Sequence, residues 1–559
     1  MAPLACFADF DPAWIVEEDD DLVVIAKPWG VTSMSVDPAH PDDVVHRLGL
    51  FLAKRDGKAP RLGVHQRLDK ETSGAMVLSK SERARKELAR AFEGRTLGKE
   101  YVAVVTGWKG GDATMRDRLT DPIDGRVRVV DASDARGKEA VSHVTVLERH
   151  GDKALLGVAI ETGRTHQIRV QLAHRGASVA GDRLYGGVPA PRLLLHALSI
   201  ALPHPAGGER VYRTRVPAVF RRFLAGEDAV RLDDAKGLEE ALVRCATARW
   251  GLSRAADDDR ATDAFRLVHG EGDGIPGLAV DVYGSYLVVH LYGDEAVAAE
   301  ATILEVLERV VRPRGLYVKR RPRQANELVE TRREDVAPAH ALVGSDAPAE
   351  LRIREHGVPY LVRLGDGLST GIFLDQRENR RRLRDVAKDA RVLNLFAYTG
   401  AFSCAAAAGG ARELVTVDAS AVALAQAEAN VALGGYAGEH RTIHGDCFEV
   451  LDAFRAEKRS FELVVCDPPT YSTTRKSRWS SGSSWIDLAG RVLDVLAVGG
   501  TALLTSNDHR MSEDRFRRFV LDAARSRGLR PRIRGYLPPR DFPIAVGGIP
   551  HLKTLLVEV

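Results

Sequence analysis

Two aspartates lie where a carboxylate could take part in chemistry. Asp69 lies in a polar loop that enters an apolar strand, and the Thr-Ser-Gly sequence at residues 72–74 allows a tight turn that would hold its carboxylate in place. A carboxylate fixed in this way can act as a nucleophile. Asp467 directly follows a run of apolar residues and precedes two prolines, a position at the end of a buried strand. A lone aspartate in a loop is usually a solvated turn residue. Whether either aspartate has a catalytic role therefore depends on the motifs in the neighbouring segments.

Asp467 is one of four strand-end features in the second half of the chain. Residues 392–403 predict a buried strand, a small-residue turn and a helix, and Asp418 and Asp446 end the next two strands. Apolar runs alternate with helical stretches from residue 390 onward, which is typical of a doubly wound parallel α/β sheet. An acidic residue at such a strand end can bind the two hydroxyls of a ribose. Because the phosphate-binding GxGxxG pattern is absent, the sequence favours a nucleoside ligand without a pyrophosphate over NAD.

The elements that would position Asp69 are of a different kind. Short β-rich runs predominate ahead of residue 222, the clearest being 22–26, 75–78, 101–105 and 155–160. Helical stretches are few, and Ser81 is placed to cap the clearest one, at 82–92. This pattern predicts an antiparallel α+β domain. Between the two halves, residues 223–262 have helical spacing in their middle and an acidic run at 257–259, which predicts a helical linker.

Composition sets further limits on the class of protein. The 559 residues include 80 Lys and Arg against 77 Asp and Glu, so the formal net charge of +3 neither demands nor excludes RNA. The five cysteines form no CxxC pair, which argues against a disulfide scaffold or a structural zinc site and favours a reducing cytosol. No signal peptide is visible, and the apolar stretch 392–410 is interrupted by polar residues. We therefore expect a soluble, cytoplasmic protein that binds neither membrane nor metal.

Several other motifs accompany the loop of Asp69 in a fixed order. They are Leu-Gly-Lys-Glu-Tyr at 97–101, Glu-Thr-Gly-Arg-Thr-His-Gln-Ile-Arg-Val at 161–170, Gly-Asp-Arg-Leu-Tyr-Gly at 181–186 and Leu-His-Ala at 195–197. Together with residues 15–33, they resemble the RluA-type pseudouridine synthases over about residues 12–222. The resemblance implies an α+β fold with a mixed antiparallel sheet, isomerisation of uridine to pseudouridine in RNA, and no cofactor. The family usually has a histidine where this chain has Gln66, which can still form hydrogen bonds.

The same resemblance implies roles for single residues. Asp69 matches the catalytic aspartate, and Arg169 matches the arginine that pairs with it and would keep it ionised. Tyr101 matches an active-site tyrosine, which can stack on the uracil and is a candidate for removing the proton from carbon 5. Arg67 matches the residue that moves into the space left by the flipped base, and Arg164 is a further expected RNA contact.

The strand-end motifs of the second half resemble class I S-adenosylmethionine-dependent methyltransferases. Residues 265–284 and 369–381 are similar, more narrowly, to the large-subunit rRNA methyltransferases that modify carbon 5 of cytosine or N7 of guanine. The resemblance covers about residues 263–559 and implies S-adenosylmethionine as cofactor, with Asp418 at its ribose and Asp467 between cofactor and target base. The resemblance also implies that four residues line the methionine side of the cofactor, namely Asn394, Phe396, Thr399 and Gly400. It places Asp446 at the adenine.

The predicted acceptor atom depends on the presence of a cysteine. Carbon 5 of cytosine is a poor nucleophile and needs a cysteine that adds to carbon 6, whereas N7 of guanine needs mainly positioning. Cytosine-5 relatives carry that cysteine in a Ser-Cys-Ser segment, where this chain reads Leu-Thr-Ser-Asn-Asp at 504–508. Cys466 precedes Asp467 and is expected to point into the sheet. We therefore predict N7 of guanine as the acceptor, with Tyr471 as a candidate to stack on the base and carbon 5 of cytosine as the alternative.

Clusters of basic residues favour RNA as the partner, and the resemblance implies ribosomal RNA. Three dense runs, at 319–323, 377–384 and 525–534, would contact phosphates, although a charged run is usually only a solvated face. The predicted parts are a synthase domain at 1–222, a helical linker at 223–262, an α+β RNA-binding or connecting domain at 263–372, and a methyltransferase domain at 373–559.

Three alternatives to a bifunctional RNA-modifying enzyme stay open. One half could be an RNA-docking module without catalysis, or both folds could belong to a non-catalytic ribosome-assembly factor that only grips RNA. The methyl acceptor could also be a protein or a small molecule. The presence of both Asp69 and Asp467 favours two active sites. Binding of S-adenosylmethionine would separate an enzyme from an assembly factor, because an assembly factor has no need of that cofactor.

Overall fold

The chain forms two compact units, which divide between Gly251 and Leu252. The computed structural model describes residues 10–35, 43–94, 96–227, 229–252, 261–321, 333–469, 484–545 and 548–559, and the backbone alone of 471–473 and 478–480. Among the described residues, no helix has both the length and the apolar character needed to cross a membrane.

The first unit is an α+β fold built around one large sheet. Its strands are β1 (Ile15–Glu18), β2 (Leu22–Lys27), β3 (Gly63–Val64), β4 (Ser73–Ser79), β5 (Gly98–Thr106), β6 (Ala113–Leu119), β7 (Val129–Val130), β8 (Lys138–His150), β9 (Lys153–Ile160), β10 (Leu195–Pro203) and β11 (Glu209–Arg213). Its helices are α1 (Val44–Asp56), α2 (Glu82–Glu93), α3 (Gln167–His174), α4 (Ala218–Ala225) and α5 (Ala235–Ala248). The strand order is β1-β2-β4-β10-β5-β9-β8-β6-β7, with β3 beside β4 and β11 beside β10. Antiparallel pairs predominate, which confirms the predicted class, and β4 and β10 are parallel.

Local signals in the sequence account for the elements around β4. All seven residues of β4 are buried, as expected for an apolar strand in the middle of a sheet. Helix α2 begins after Ser81, whose hydroxyl accepts a hydrogen bond from the Ala84 N–H at 3.0 Å, so the predicted cap is confirmed. At the start of β4, Gly74 has φ +122°, and a Cβ there would lie 2.2 Å from the Ala197 carbonyl oxygen. Only glycine allows β4 and β10 to approach this closely.

The second unit begins with a five-stranded sheet of order β12-β13-β14-β15-β16 and a separate hairpin. The strands of the sheet are β12 (Ala264–His269), β13 (Leu278–Tyr283), β14 (Tyr286–Tyr292), β15 (Gly315–Arg321) and β16 (Val343–Gly344), and the hairpin pairs β17 (Leu351–Glu355) with β18 (Val358–Val362). Helices α6 (Asp294–Ala298) and α7 (Glu300–Val311) connect β14 to β15, which run parallel.

The remainder of the second unit is the predicted doubly wound sheet. Its strands are β19 (Arg391–Leu395), β20 (Glu413–Asp418), β21 (Glu439–His444), β22 (Phe461–Cys466), β25 (Leu496–Ser506), β26 (Arg532–Tyr536) and β27 (Lys553–Glu558), with a small hairpin of β23 (Tyr471–Thr473) and β24 (Arg478–Ser480). Its helices are α8 (Arg377–Val386), α9 (Ala401–Ala408), α10 (Ala421–Leu433), α11 (Cys447–Ala456), α12 (Trp485–Asp494) and α13 (Glu513–Arg525). The order is β21-β20-β19-β22-β25-β27-β26, parallel as far as β25, and β27 is antiparallel to both neighbours. The carboxyl ends of the five parallel strands therefore meet at one edge.

The segment predicted as a helical linker contributes α5 to the first unit. After α5, the ring of Trp250 lies 3.9 Å from the guanidinium of Arg47, and a Cβ added at Gly30 would meet the Cα of Ala248 at 3.4 Å. The acidic run 257–259 lies outside the described residues. The four predicted domain ranges stay a prediction.

Two candidate active sites

A cavity of about 670 Å³ in the first unit surrounds Asp69. The other predicted residues that line it are Arg67, Tyr101, Arg164 and Arg169. The loop is held by hydrogen bonds from the Thr72 N–H to the Asp69 carbonyl at 3.0 Å and from the Ser33 hydroxyl to the Leu68 carbonyl at 2.7 Å. Gln66 donates to the carbonyl of Ala75 at 3.4 Å. The central strand β4 thus anchors the turn that presents Asp69.

Arg169 lies between two carboxylates. Its Nη1 donates to Asp69 Oδ2 at 3.2 Å, while its Nε and Nη2 donate to the two oxygens of Asp182 at 2.7 and 2.9 Å. Both Arg169 and Asp182 are buried. Because the two-point contact with Asp182 fixes the guanidinium, Nη1 can hold the Asp69 carboxylate in a fixed orientation. The structure brings together the predicted pair, and Asp182 is a partner that sequence reasoning missed although its segment was singled out.

His166 also lies against Asp69, and sequence reasoning gave it no role. Its Nε2 is 3.7 Å from Asp69 Oδ2, and its Nδ1 is 2.9 Å from the hydroxyl of Tyr185. That hydroxyl accepts a hydrogen bond from the Val127 N–H at 3.0 Å, so its own proton is available to Nδ1. Burial lowers the pKa of His166. This arrangement favours the neutral tautomer that carries its proton on Nε2, which faces Asp69.

Tyr101 is half-buried on β5. Burial, together with the negative charge of Asp69, raises the pKa of its hydroxyl, so Tyr101 stays protonated at neutral pH. A protonated phenol is suited to stacking and hydrogen-bond donation rather than to removing a proton as phenolate. Arg67 is exposed, and Arg164 is half-buried with its Nε donating to the Glu139 carbonyl at 3.0 Å.

A second pocket, of about 380 Å³, lies at the carboxyl ends of the parallel strands in the second unit. The predicted residues that line it are Phe396, Thr399, Asp418, Asp446 and Asp467. Two other predicted cofactor-binding residues that the structure describes, Asn394 and Gly400, do not line this pocket. Asn394 is buried, and its amide donates to Ser403 at 3.0 Å. Gly400 has φ +72°, and a Cβ there would lie 2.6 Å from the Ala427 Cβ, so this glycine allows α9 to pack closely on α10.

Asp418 ends β20, and both of its carboxylate oxygens accept backbone hydrogen bonds. The donors are the N–H groups of Tyr398 and Ser420, each at 2.8 Å. The turn that presents the Tyr398 N–H contains two non-glycine residues in the left-handed region, Phe396 at φ 56° and Tyr398 at φ 49°. Because each carboxylate oxygen has a further lone pair, Asp418 is fixed in place and can still accept hydrogen bonds from ribose hydroxyls.

The groups around this pocket fit a nucleoside cofactor. The carboxylates of Asp418 and Asp446 can accept hydrogen bonds from hydroxyl and amine groups. The rings of Phe396 and Phe448 meet edge to face with centroids 6.4 Å apart and form an apolar wall. Arg380 is the only arginine among the described residues that line the pocket. Its guanidinium already donates to the buried carboxylate of Glu355 at 2.8 Å. The set therefore suits an adenosine-like ligand without a pyrophosphate, as predicted.

Asp467 is held on both oxygens by side chains that sequence reasoning missed. Its Oδ1 accepts a hydrogen bond from the Thr505 hydroxyl, and its Oδ2 accepts one from Gln376 Nε2 at 3.0 Å. Gln376 also lies 3.3 Å from the Thr505 hydroxyl and accepts a hydrogen bond from Asn379 at 2.6 Å. Burial raises the pKa of Asp467 to about 6, and the charge of Asp375 adds to the shift. The carboxylate is therefore oriented in advance and ionised above about pH 6.

Gln376 lies in the segment 369–381, which carries the resemblance to the rRNA methyltransferases, but the sequence predicts no role for this residue. Another predicted residue, Tyr471, has its side chain outside the described residues.

The basic run 377–384 differs from its prediction. Arg377 is buried and donates to both oxygens of Asp541 at 2.9 and 2.6 Å. Arg380 is buried and donates to both oxygens of Glu355 at 2.8 Å. The prediction of phosphate contacts is therefore wrong for these two arginines, because their charges are already paired inside the unit.

The other two basic runs are of mixed character. In the run 319–323, Lys319 is buried and Arg320 pairs with Glu300, whereas residues 322 and 323 lie outside the described residues. In the run 525–534, the first two arginines pair with carboxylates and the last three, Arg530, Arg532 and Arg534, are exposed.

Comparisons with known proteins agree with this division into two units. Residues 265–557 match the family model described as S-adenosylmethionine-dependent methyltransferase, and residues 21–174 match the model described as RNA pseudouridylate synthase. The chain is 30% identical over 314 residues to the Ribosomal RNA large subunit methyltransferase I of Alteromonas mediterranea, covering 55% of this chain and 77% of the relative. It is 35% identical over 313 residues to the Ribosomal RNA large subunit methyltransferase of Deinococcus radiodurans, covering 54% and 73%.

Coverage is lower for the Ribosomal RNA large subunit methyltransferase I of Klebsiella pneumoniae, at 32% identity over 264 residues, 47% of this chain and 64% of the relative. The chain thus spans just under two thirds of that relative's length. Among solved structures, a protein from Streptococcus mutans assigned as a SAM-dependent methyltransferase superposes with a TM-score of 0.51 and 24% identity, covering 65% of this chain and 89% of that chain. This similarity concerns the fold alone.

Proposed function

Because the chain belongs to the S-adenosylmethionine-dependent methyltransferase family and carries an RNA pseudouridylate synthase domain ahead of it, we propose that it is a bifunctional RNA-modifying enzyme. The first unit isomerises uridine to pseudouridine, and the second methylates a base, N7 of guanine in large-subunit rRNA. The observation that carries this proposal is that each unit contains a pocket with a carboxylate oriented by side chains: Asp69 beside Arg169, and Asp467 between Gln376 and Thr505.

In the synthase half, Asp69 is the proposed nucleophile. The bond between N1 of the uracil and C1′ must break, the base must rotate, and carbon 5 must bond to C1′; carbon 5 then loses its proton while N1 gains one, so the product is an isomer. A carboxylate can hold the reaction together during the rotation. Arg169 orients Asp69 through a hydrogen bond to Oδ2, and His166 Nε2 also faces Oδ2, which leaves Oδ1 available for attack. Tyr101 stacks on the base, and Arg67 and Arg164 contact the RNA backbone after the uridine is flipped out.

In the methyltransferase half, S-adenosylmethionine supplies the methyl group. Asp418 would hold its ribose and Asp446 its adenine, while Phe396 and Thr399 line the methionine side. The ionised carboxylate of Asp467 accepts hydrogen bonds from the N–H groups of the target base and fixes the orientation of its ring. For guanine this contact needs no covalent step, since N7 is already nucleophilic.

The surroundings of two cysteines favour N7 of guanine over carbon 5 of cytosine. Cys466 is fully buried in a core cluster with Trp485, and burial holds the pKa of its thiol well above the ordinary value. Cys447 lines the pocket, but its sulfur accepts the Phe396 N–H at 3.3 Å and burial raises the pKa of its thiol to about 12. Neither thiol is suited to supply the thiolate that a carbon-5 mechanism requires.

We expect Cys466→Ala to leave methyl transfer close to the wild-type rate. The change removes one buried sulfur and should cost only about 1 kcal/mol of packing. Transfer from labelled cofactor to RNA is measured, and the product is located by nucleoside mass spectrometry as 7-methylguanosine. Cys404→Ala is a matched control, since Cys404 is also buried but belongs to a different core cluster. Formation of 5-methylcytidine that is lost on removal of Cys466 or Cys447 would contradict the N7 assignment.

Asp418→Ala should weaken binding of S-adenosylmethionine by roughly 30- to 150-fold, as expected for the loss of about 2–3 kcal/mol of charge-assisted hydrogen bonding. Calorimetric titration of the full chain gives the affinity. Asp418→Asn is the matched variant, because an amide oxygen can still accept one backbone N–H of the turn while the charge is lost. Unchanged affinity in both variants would remove Asp418 from the cofactor site.

The bifunctional assignment is tested by mapping modified bases by mass spectrometry in RNA from cells that lack the protein. One pseudouridine and one 7-methylguanosine should disappear and should return with the wild-type gene. If only one of the two modifications is lost, the other half is an RNA-docking module. If neither is lost, the chain is not an RNA-modifying enzyme under the conditions of growth, and the assembly-factor alternative gains support.

A further inference from the structure

The outer strand of the methyltransferase sheet carries an exposed basic face. Among the described residues, β26 pairs on one side only, with β27. Arg532 and Arg534 are exposed, and within the part of the chain that the structure describes their side chains form neither ion pairs nor hydrogen bonds. The alternate residue Ile533 belongs to the other face, where its side chain packs against the core cluster that contains Phe516 of α13. The arginines of β26 therefore share one uncovered face.

This face reaches the level of Asp467. Tyr536, at the end of β26, pairs with Thr554 of β27, and Thr554 pairs with Thr505 of β25, whose hydroxyl binds Asp467. These residues form one row across the sheet. Three strand spacings separate β26 from β22, so the row places Tyr536 roughly 14 Å from Asp467. Arg532 and Arg534 extend away from this row along the strand.

Tyr536 is also connected to Asp467 through side chains of α8 and through Gln376, which directly precedes that helix. The guanidinium of Arg382 lies 4.1 Å from the centre of the Tyr536 ring, and its Nη1 donates to Asn379 at 2.9 Å. Asn379 in turn donates to Gln376, the hydrogen-bond partner of Asp467. Unlike its buried neighbours on α8, Arg382 forms no ion pair with a carboxylate among the described residues. The stacked guanidinium and ring offer a flat, positively charged platform.

From these positions we infer that a single-stranded segment of RNA, next to the methylated base, runs along the β26 face, defined here as Arg382, Arg532, Arg534 and Tyr536. The two strand arginines would bind phosphates, and the Arg382–Tyr536 platform would take an unstacked base. Glu558 stands opposite Arg532 in register, but no ion pair joins them, so the arginine is free for a phosphate. The inference rests on the proposed methyl transfer to RNA and names where the acceptor strand lies.

The decisive variant is Arg532→Gln combined with Arg534→Gln in the full-length protein. We expect KM for a transcript of large-subunit rRNA to rise by roughly 10- to 100-fold, since two charged contacts are lost, with kcat and the affinity for S-adenosylmethionine unchanged. Direct RNA affinity is measured by fluorescence anisotropy. The slope of log affinity against log salt concentration should fall by about 1.4, because two fewer counterions of a single strand are released.

The charge-matched control is Arg455→Gln combined with Arg525→Gln. Both residues are exposed but paired with carboxylates, so KM should stay within about twofold of the wild-type value. Tyr536→Leu should weaken RNA binding, whereas Tyr536→Phe, which keeps the ring, should restore it. Unchanged KM and salt slope in the Arg532→Gln, Arg534→Gln variant would overturn the inference. If wild-type protein binds RNA through the β26 face yet transfers no methyl group to it, the proposed function fails while the RNA-binding surface stands.

Discussion

Asp69→Asn is expected to abolish pseudouridine formation, with a loss on the order of 10⁴-fold or more, as for removal of a covalent nucleophile. The amide is nearly isosteric with the carboxylate and can still accept the hydrogen bond from Arg169. The turn itself is held by backbone atoms, since the Thr72 N–H donates to the carbonyl of residue 69 at 3.0 Å. The fold should therefore be retained while the nucleophile is lost. Carbodiimide treatment followed by primer extension detects the product.

Methyl transfer by the same preparation serves as the internal control for the Asp69→Asn variant, and it should be unchanged. Asp152→Asn is the matched control within the first unit, because Asp152 is exposed and does not line the cavity. It should retain full pseudouridine formation. Wild-type levels of pseudouridine in Asp69→Asn would refute the assignment of the nucleophile.

Asp467→Asn is expected to reduce methyl transfer by roughly 100- to 1000-fold, the loss typical of one preorganised polar group at a reacting centre. Wild-type activity should also depend on pH. Burial raises the pKa of Asp467 to about 6, so activity that needs the carboxylate is lost as the pH falls through about 6. The residual activity of the Asn variant should lack this pH dependence. Rates with labelled cofactor between about pH 4.5 and 8 test both statements.

Stability measurements separate this loss of activity from a loss of fold. A raised pKa means that the folded state binds the proton more tightly, so the contribution of Asp467 to stability is present below the ordinary pKa of 3.8 and is lost as the pH rises through about 6. At neutral pH the ionised carboxylate therefore costs the folded state on the order of 3 kcal/mol. The Asn variant removes this cost and so gains stability. It loses stability because an asparagine offers one acceptor oxygen where the carboxylate offers two, so either Gln376 or Thr505 loses its acceptor. The two effects are opposite in sign. We expect the melting temperature to change little, and a large decrease would attribute the lost activity to unfolding.

Much of the fold could be predicted because its signals are local. The cap at Ser81, the alternation of apolar runs with helices after residue 390, and the continuous apolar stretches of buried strands each depend on neighbours in the sequence. The strand-end positions of Asp418, Asp446 and Asp467 follow from that pattern, and all three line the predicted pocket. The sequence places Asn394 on the correct strand, but its side chain is buried and donates to Ser403 of α9, a contact that depends on how α9 packs on the sheet.

Long-range partners could not be predicted from the sequence. The contact of Gln376 with Asp467 joins residues 91 positions apart, and no periodic signal encodes it. The same limit applies to Arg377, whose partner Asp541 is 164 positions away. A dense run of arginines looks the same in the sequence whether its charges face phosphates or buried carboxylates. His166 was overlooked for a different reason: it adopts φ 54°, and this left-handed conformation helps to place its ring at Asp69.

The contacts among Gln376, Asp467 and Thr505 also constrain how this pocket can diverge in evolution. Every polar hydrogen in the set has an assigned acceptor: Thr505 donates to Asp467, and Gln376 reaches both of the others. Replacing one member alone leaves a buried partner unsatisfied, at a cost of about 1–3 kcal/mol. Substitutions at the three positions should therefore be coupled, so that the effect of changing one residue depends on which residues occupy the other two positions.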